Sequence, residues 1–197
     1  MKAFFDLLEH RDKLKDLLKG SHIFGDAVNY DYWYNHRYPI TKAINRSGTI
    51  LDIGCANGFL LRSLLEWSEY ELIPYGADID NQLLEQCKAM FPGLEHHFVN
   101  LPLHRLDEAA SAGLPAQFDF VYWNVWDDFY FDDKHYDGYL DKAYAAVKGS
   151  GRLILGFYDG NLDVINRKLD WLTQNFQPAQ TRLESDTREE IFAWFEK

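Results

Sequence analysis

The sequence predicts an α/β domain built on a doubly wound, mostly parallel sheet with helices on both faces. Three observations carry that prediction. From residue 49 onward, short apolar runs alternate with segments of helical periodicity, the βαβ beat of a parallel sheet. The C-terminal stretches "AQTRLES" and "EEIFAWFEK" follow one another with no helix between them, so the sheet should end in an antiparallel pair. The 197 residues, 47% of them hydrophobic, suit one buried core, with no linker or internal repeat to divide it.

Each element follows from its residues. Phe4, Leu7, Leu8, Leu14, Leu17 and Leu18 recur at helical spacing, so residues 2–19 read as an amphipathic helix closed by Gly20. Residues 21–38 are aromatic and irregular, and Pro39 opens a short helix through Asn45. "TILDI" is the first strand, and Leu60, Leu61, Leu64 and Leu65 mark the helix after it. "LIPYGAD" is the second, followed by a helix on Leu83, Leu84 and Cys87 that Pro92-Gly93 stops. "EHHFV" reads as the third strand, with a short helix over 103–112. "FDFVYWN" is the fourth, with a helix on Tyr136, Tyr139, Leu140, Ala143 and Val147. "GRLILGFY" is the fifth, and Leu162, Ile165, Leu169, Leu172 and Phe176 form the last helical face. The division expected is an N-terminal helical extension or lid over 1–46 and a ligand-binding domain over 47–197.

In such a sheet, ligands bind beyond the C-terminal strand ends. There the first strand carries Asp52 into a turn of small residues, Gly54, Cys55, Ala56 and Gly58, whose backbone can approach a ligand closely. Compactness accounts for Cys55 better than reactivity does. Asp78 ends the second strand, twenty residues after Gly58, where a carboxylate can accept hydrogen bonds from two ribose hydroxyls; Asp80 beside it suits a helix cap. Asn100 ends the third strand, placed to pair with a base edge, and Trp123-Asn124 ends the fourth. The turn is G-x-A-x-G, not the G-x-G-x-x-G of a nicotinamide dinucleotide site, which argues against an NAD(P)-dependent oxidoreductase. Asp52 would repel a pyrophosphate but attract an ammonium. The ligand should therefore be a nucleoside bearing an amino-acid group and no phosphates.

With these stretches in order, the sequence resembles the class I S-adenosylmethionine-dependent methyltransferases over roughly residues 30–197. "LDIGCANG" looks like the first motif, "GADID" the second, "FVNLP" the adenine-contacting stretch, "FDFVYWNV" the fourth motif, and "VKGSGRLIL" the passage usually written around Pro-Gly-Gly. The resemblance implies a Rossmann-like sheet of seven strands with an antiparallel C-terminal strand, and S-adenosylmethionine as cofactor. It gives Asp52 and the Gly54–Gly58 backbone to the methionine end, Asp78 to the ribose, and Asn100 with Leu101 to the adenine; Ile79 and Asn124 complete the expected cofactor-binding set. Ala56 stands where glycine is commoner, Asn100 where aspartate is more usual, and Lys148-Gly149-Ser150-Gly151 lacks the proline.

Methyl transfer needs an aligned nucleophile, and a base only if that nucleophile must lose a proton. His135 and His36 are the candidates for a base, and Tyr30, Tyr34 and Arg37 for closing over the cofactor carboxylate. In "WDDFYFDDKHYDG", five aspartates interleave with aromatic residues, a composition that suits a cationic or aromatic small-molecule acceptor or simply a solvated loop. Asp127, Asp128 and Asn124 are oxygen ligands by type, but their spacing matches no metal motif, and His96 and His97, adjacent in a strand, would face opposite ways; no metal is expected. No Asn-Pro-Pro-Tyr follows the fourth strand, which disfavours methylation of base or glutamine nitrogens.

The net charge of −11 and the lack of a Lys/Arg block argue against nucleic acid. Two cysteines outside any CxxC, a charged N-terminus and no long apolar run suggest a cytoplasmic protein away from membranes. The alternatives to a small-molecule methyltransferase are a non-catalytic binder of the cofactor or of S-adenosylhomocysteine, acting as a regulator or partner subunit, and a protein methyltransferase.

Overall fold

The structure, a computed structural model, describes residues 11–21, 30–158, 161–184 and 190–197. Seven strands form one sheet: β1 (Gly48–Ile53), β2 (Leu72–Asp78), β3 (Phe98–Asn100), β4 (Phe118–Val125), β5 (Val147–Phe157), β6 (Gln180–Glu184) and β7 (Ile191–Glu196). Their spatial order is β3-β2-β1-β4-β5-β7-β6. All pairings are parallel except β5–β7 and β6–β7, so β7 alone runs against the rest. The order reverses direction at β1 and β4, and Asp52 pairs in register with Gly76 on one side and Tyr122 on the other. That junction is where a crevice opens in this topology.

Among the described residues six α-helices flank the sheet: α1 (Arg11–Gly20), α2 (Tyr30–Arg37), α3 (Phe59–Trp67), α4 (Asn81–Met90), α5 (Tyr139–Ala145) and α6 (Leu162–Asn175). Strand alternation sorts the core into two layers. Leu51, Ile53, Val121, Trp123, Leu153 and Leu155 face one layer with α5 and α6, while Ile50, Phe120, Tyr122 and Ile154 face the other with α3 and α4. Asp52 shares the second face, so its carboxylate points toward the N-terminal extension. Among the described residues no helix is long and apolar enough to cross a membrane.

Several boundaries differ from the sequence expectation, each for a local reason. Residues 2–10 of the expected first helix lie outside the described residues. The "irregular" aromatic stretch contains α2, because Trp33, His36 and Arg37 recur on one buried face. Trp33 stacks on Phe59, with ring centroids 5.0 Å apart, and its Nε1 donates to Ser63 Oγ at 2.8 Å, fastening α2 to α3. Residues 38–43, after α2, form a 3₁₀ turn rather than a longer helix.

The third strand is shorter than "EHHFV" suggested. Glu95–His97 is a 3₁₀ turn and β3 begins at Phe98. Pro74 occupies the β2 edge that β3 leaves uncovered, and His97 Nδ1 donates to its carbonyl at 2.9 Å while the ring stacks on Tyr75. His97 is thus a structural residue, not half of an opposed strand pair. The helix expected over 103–112 is a 3₁₀ turn over Leu103–Glu108. Tyr136 lies before α5, which starts after left-handed Gly138, and Val147 already opens β5. The Lys148–Gly151 stretch belongs to that strand, with left-handed Ser150 and a register shift between Phe118 and Phe120.

Candidate functional site

The turn after β1 is built on backbone that few residues tolerate. Gly54 (φ +77°) has open space where a Cβ would stand, so bare main chain faces the crevice. At Gly58 (φ +76°), which caps α3, a Cβ would lie 2.4 Å from Cys87 Sγ, so glycine is required for space as well as conformation. Ala56 between them also adopts a left-handed conformation, φ 48°, in a non-glycine residue. Asp78 holds it there: Oδ2 accepts the Ala56 N–H at 2.7 Å, and Oδ1 accepts that of Asp80 at 2.8 Å. Asp80 in turn caps α4, its Oδ1 accepting from Gln82 and Leu83.

Asn57, which the sequence reading passed over, staples α1 to the same turn. It is fully buried; its Nδ2 donates to the Leu17 carbonyl at 2.9 Å and its Oδ1 accepts from Ser21 Oγ at 2.7 Å. Leu18 packs with Trp33 and Phe59 beneath this contact.

Two cavities meet over the strand ends, with Gly54 and Asn124 lining both. The larger, about 490 Å³, is mostly apolar and runs from Asp78 and Ile79 across Leu101, Pro102 and Leu103 to His104, Tyr139 and Trp126. The smaller, about 90 Å³, lies beside Asp52 and is walled by Ala56, Trp33, Arg37, Tyr122 and Tyr158. Asp52 is 3% exposed, and its carboxylate has no hydrogen-bond or ion-pair partner among the described residues. Burial, with a contribution from the Asp78 charge, pushes its pKa up to about 8.

A buried polar group occupies the β4–β5 side. The Tyr122 and Tyr158 hydroxyls hydrogen-bond to each other, and Gly156 makes room, since a Cβ there would lie 2.5 Å from the Tyr122 hydroxyl oxygen. Arg37 pairs with Glu190 at the start of β7 and lies 3.7 Å over the Tyr158 ring. Only tertiary structure joins these residues, from α2, β4, β5 and β7.

The post-β4 loop is held from α6. Lys168, 2% exposed, donates to the carbonyls of Trp126 at 3.1 Å and Asp127 at 2.9 Å, fixing Trp126 as a cavity wall. The loop aromatics pack on one another: Phe129 is buried against Trp123, Trp126 and Tyr136, while Asp127, Asp128, Asp132, Asp133 and Asp137 are exposed. Of the two uses the composition allowed, this geometry is that of a solvated acidic loop over an aromatic cluster. Among the described residues no group of three or more His, Cys, Asp or Glu is placed to hold a metal ion.

Thus Asp52, Gly54, Cys55, Ala56, Asp78, Ile79, Leu101, Asn124 and Arg37 line the two cavities, and Gly58 shapes the turn beneath them. Five expected residues lie elsewhere, among them Tyr30, whose hydroxyl accepts from Trp67 Nε1 at 3.1 Å. Asn100 Nδ2 donates to the Ile79 carbonyl and to Asn81 Oδ1, at 2.9 and 3.0 Å, and the residue lines neither cavity. Tyr34 stacks on Tyr38 and meets Trp67 edge to face, and it lines neither cavity. His36 is buried, its Nδ1 donating to the Tyr32 carbonyl at 2.7 Å, and His135 is exposed beside Tyr136; neither lines a cavity.

The sequence matches no family model and no curated protein. Its fold matches many solved structures. One is an S-adenosylmethionine-dependent methyltransferase from Aquifex aeolicus, with a TM-score of 0.59 and 12% identity over 95% of this chain and 98% of that one. This is the fold of the class I S-adenosylmethionine-dependent methyltransferases. A second match comes from a complex of the Haloferax volcanii Trm112 methyltransferase activator with a candidate methyltransferase, TM-score 0.59 and 12% identity over 100% and 98% of the two chains. A third is a candidate rRNA methylase from Clostridium thermocellum, TM-score 0.56 and 16% identity over 87% and 97%. Other matches are longer proteins: the chain spans 65% of one from Bordetella parapertussis. At these identities the likeness establishes the methyltransferase fold.

Proposed function

We propose that this protein is an S-adenosylmethionine-dependent methyltransferase acting on a small molecule. One observation carries the reading. Asp52 is a desolvated carboxylate without a partner among the described residues, and it faces a cavity beside a turn of bare backbone. Burying a carboxylate this way is costly unless a ligand cation meets it.

The residues present fit the cofactor. Asp52 would take its ammonium and the Gly54–Gly58 backbone its methionine end. Asp78, whose oxygens retain lone pairs beyond the two backbone bonds they accept, would take the ribose, with Ile79 and Leu101 against the adenosine rings. When bound, the cofactor supplies an electrophilic methyl group on a sulfonium. The chain's own part is to exclude water through Trp33, Trp126 and Leu103, and to orient the two ends of the ligand from β1 and β2. Asn100, Tyr34, His36 and His135 have no part in this reading. The acidic surface disfavours an RNA acceptor, since phosphates are bound by clustered cations.

Calorimetric titration with S-adenosylmethionine, S-adenosylhomocysteine and NAD tests the proposal. Binding of both adenosyl ligands and not NAD is expected. A folded protein that binds neither adenosyl ligand would sink it. Transfer of a labelled methyl group then separates an enzyme from a non-catalytic binder.

A further inference from the structure

The side of the small cavity that lies over β4 and β5 is rich in hydrogen-bond donors. One of the Tyr122 and Tyr158 hydroxyls donates to the other, which leaves the second O–H for a ligand. Burial raises the pKa of both hydroxyls, so they stay protonated. Arg37, 6% exposed, makes one side-chain hydrogen bond among the described residues, to Glu190, and keeps its remaining N–H groups beside Tyr158 and the cavity. No His or Lys lines this cavity among the described residues. Asp52, the one acid that lines it among the described residues, faces the cofactor's ammonium in the reading above.

That lining selects among acceptors. A hydroxyl must shed a proton during transfer, and an ammonium before it, so each calls for a base. An ammonium would also be repelled by Arg37. A carboxylate is already ionised, suits a guanidinium and a phenol, and needs no base. Its reaction with a sulfonium annihilates two opposite charges, which a site shielded from water favours.

Resting on the proposed function, we infer that the methyl acceptor is a carboxylate, held by Arg37, Tyr122 and Tyr158 and converted to its methyl ester. A carboxylate oxygen lone pair forms the new O–C bond to the sulfonium methyl. The C–S bond breaks with its electron pair left on sulfur. Anion and cation become a neutral ester and a neutral thioether, and no proton moves.

A carboxylate at this position has two sources, the acceptor or the cofactor's own amino-acid end. Acetate is the minimal probe, observed by saturation-transfer NMR on the full chain with and without saturating S-adenosylhomocysteine, with acetamide as the neutral control. Expected is acetate binding that persists with S-adenosylhomocysteine bound, exceeds acetamide binding, and weakens at least fivefold in Tyr158→Phe. That variant should bind S-adenosylhomocysteine within twofold of the parent. Absence of acetate binding overturns the inference. So does displacement of acetate by S-adenosylhomocysteine but not by 5′-methylthioadenosine, which lacks the amino-acid end, because the site would then belong to the cofactor. Failure of S-adenosylhomocysteine to bind at all is a separate result and sinks the proposed function instead.

Discussion

Replacing Asp52 with asparagine should make the protein more stable and less able to bind its ligand. The carboxyl's ordinary pKa of 3.8 rises to about 8 in the fold, through burial first and the Asp78 charge second. Below about pH 4 both the folded and unfolded chains hold the proton and nothing is lost. Between about 4 and 8 the unfolded chain ionises while the folded one does not, so stability falls as pH rises. Above 8 the full cost of the buried charge is present. At ~1.4 kcal/mol per pH unit, the interval from 3.8 to 8 sets a ceiling of about 6 kcal/mol. Water in the adjoining cavity screens part of this, so we expect about 2–4 kcal/mol.

The assay is urea unfolding of wild type and Asp52→Asn at intervals from pH 4 to 9. The two should coincide near pH 4 and separate by about 1–2 M in midpoint at pH 9, the variant being the more stable. Binding should move the other way. The variant should lose about 10- to 100-fold in S-adenosylhomocysteine affinity, the size of one charged hydrogen bond. Wild-type binding at pH 7 should release about one proton, seen in buffers of different ionisation enthalpy, because Asp52 must ionise to meet an ammonium. Coincident midpoints at pH 9 would refute the desolvation argument, and unchanged affinity would refute the ammonium assignment.

Ala56→Val should cost about 1–3 kcal/mol in thermal unfolding, since a β-branched side chain resists φ 48°, whereas Ala56→Gly should be close to neutral. Equal stability of the two variants would mean that the turn relaxes. Asp78→Ala should lower adenosyl affinity by about 1–3 kcal/mol and reduce the melting temperature as well, because the Ala56 and Asp80 N–H groups lose their acceptor. Loss of stability with intact affinity would remove Asp78 from the ribose site. Lys168→Met should free the Trp126 and Asp127 carbonyls, weaken adenosyl binding by about 1 kcal/mol and shift tryptophan emission to the red. Unaltered emission and affinity would show that the loop is held elsewhere. At the opposite end of the sheet, burial of Asp119 is outweighed by Lys148 and Thr49, which hold its pKa well below the usual carboxylate range. Its stabilisation is present above about pH 4 and lost as pH falls below that. Asp119→Asn should flatten this acid limb in denaturant titrations, and an unchanged limb would assign it to other carboxylates.

The sequence by itself determined the parts of this protein that depend on neighbours along the chain. Short apolar runs and helical periodicity located the strands and most helices, and the uninterrupted pair of C-terminal strands required an antiparallel end to the sheet. Asp52, the Gly54–Gly58 turn and Asp78 were legible because a strand end, a small-residue turn and a following carboxylate all lie within one βαβ unit. Tertiary structure decided what distant segments do to one another. Asn100 ends its strand as expected, yet its amide N–H groups are taken by Ile79 and Asn81, and local pattern cannot report that competition. His36 and His135 have suitable chemistry, but packing turns one inward against Tyr32 and leaves the other on the surface. Tyr122 read only as strand core; its hydroxyl meets that of Tyr158 because Gly156 leaves room for it, and Arg37 reaches the same cavity from α2 already paired with Glu190. Side-chain chemistry is written residue by residue, whereas burial, the pKa it imposes and the partners that satisfy it arise only when the sheet closes.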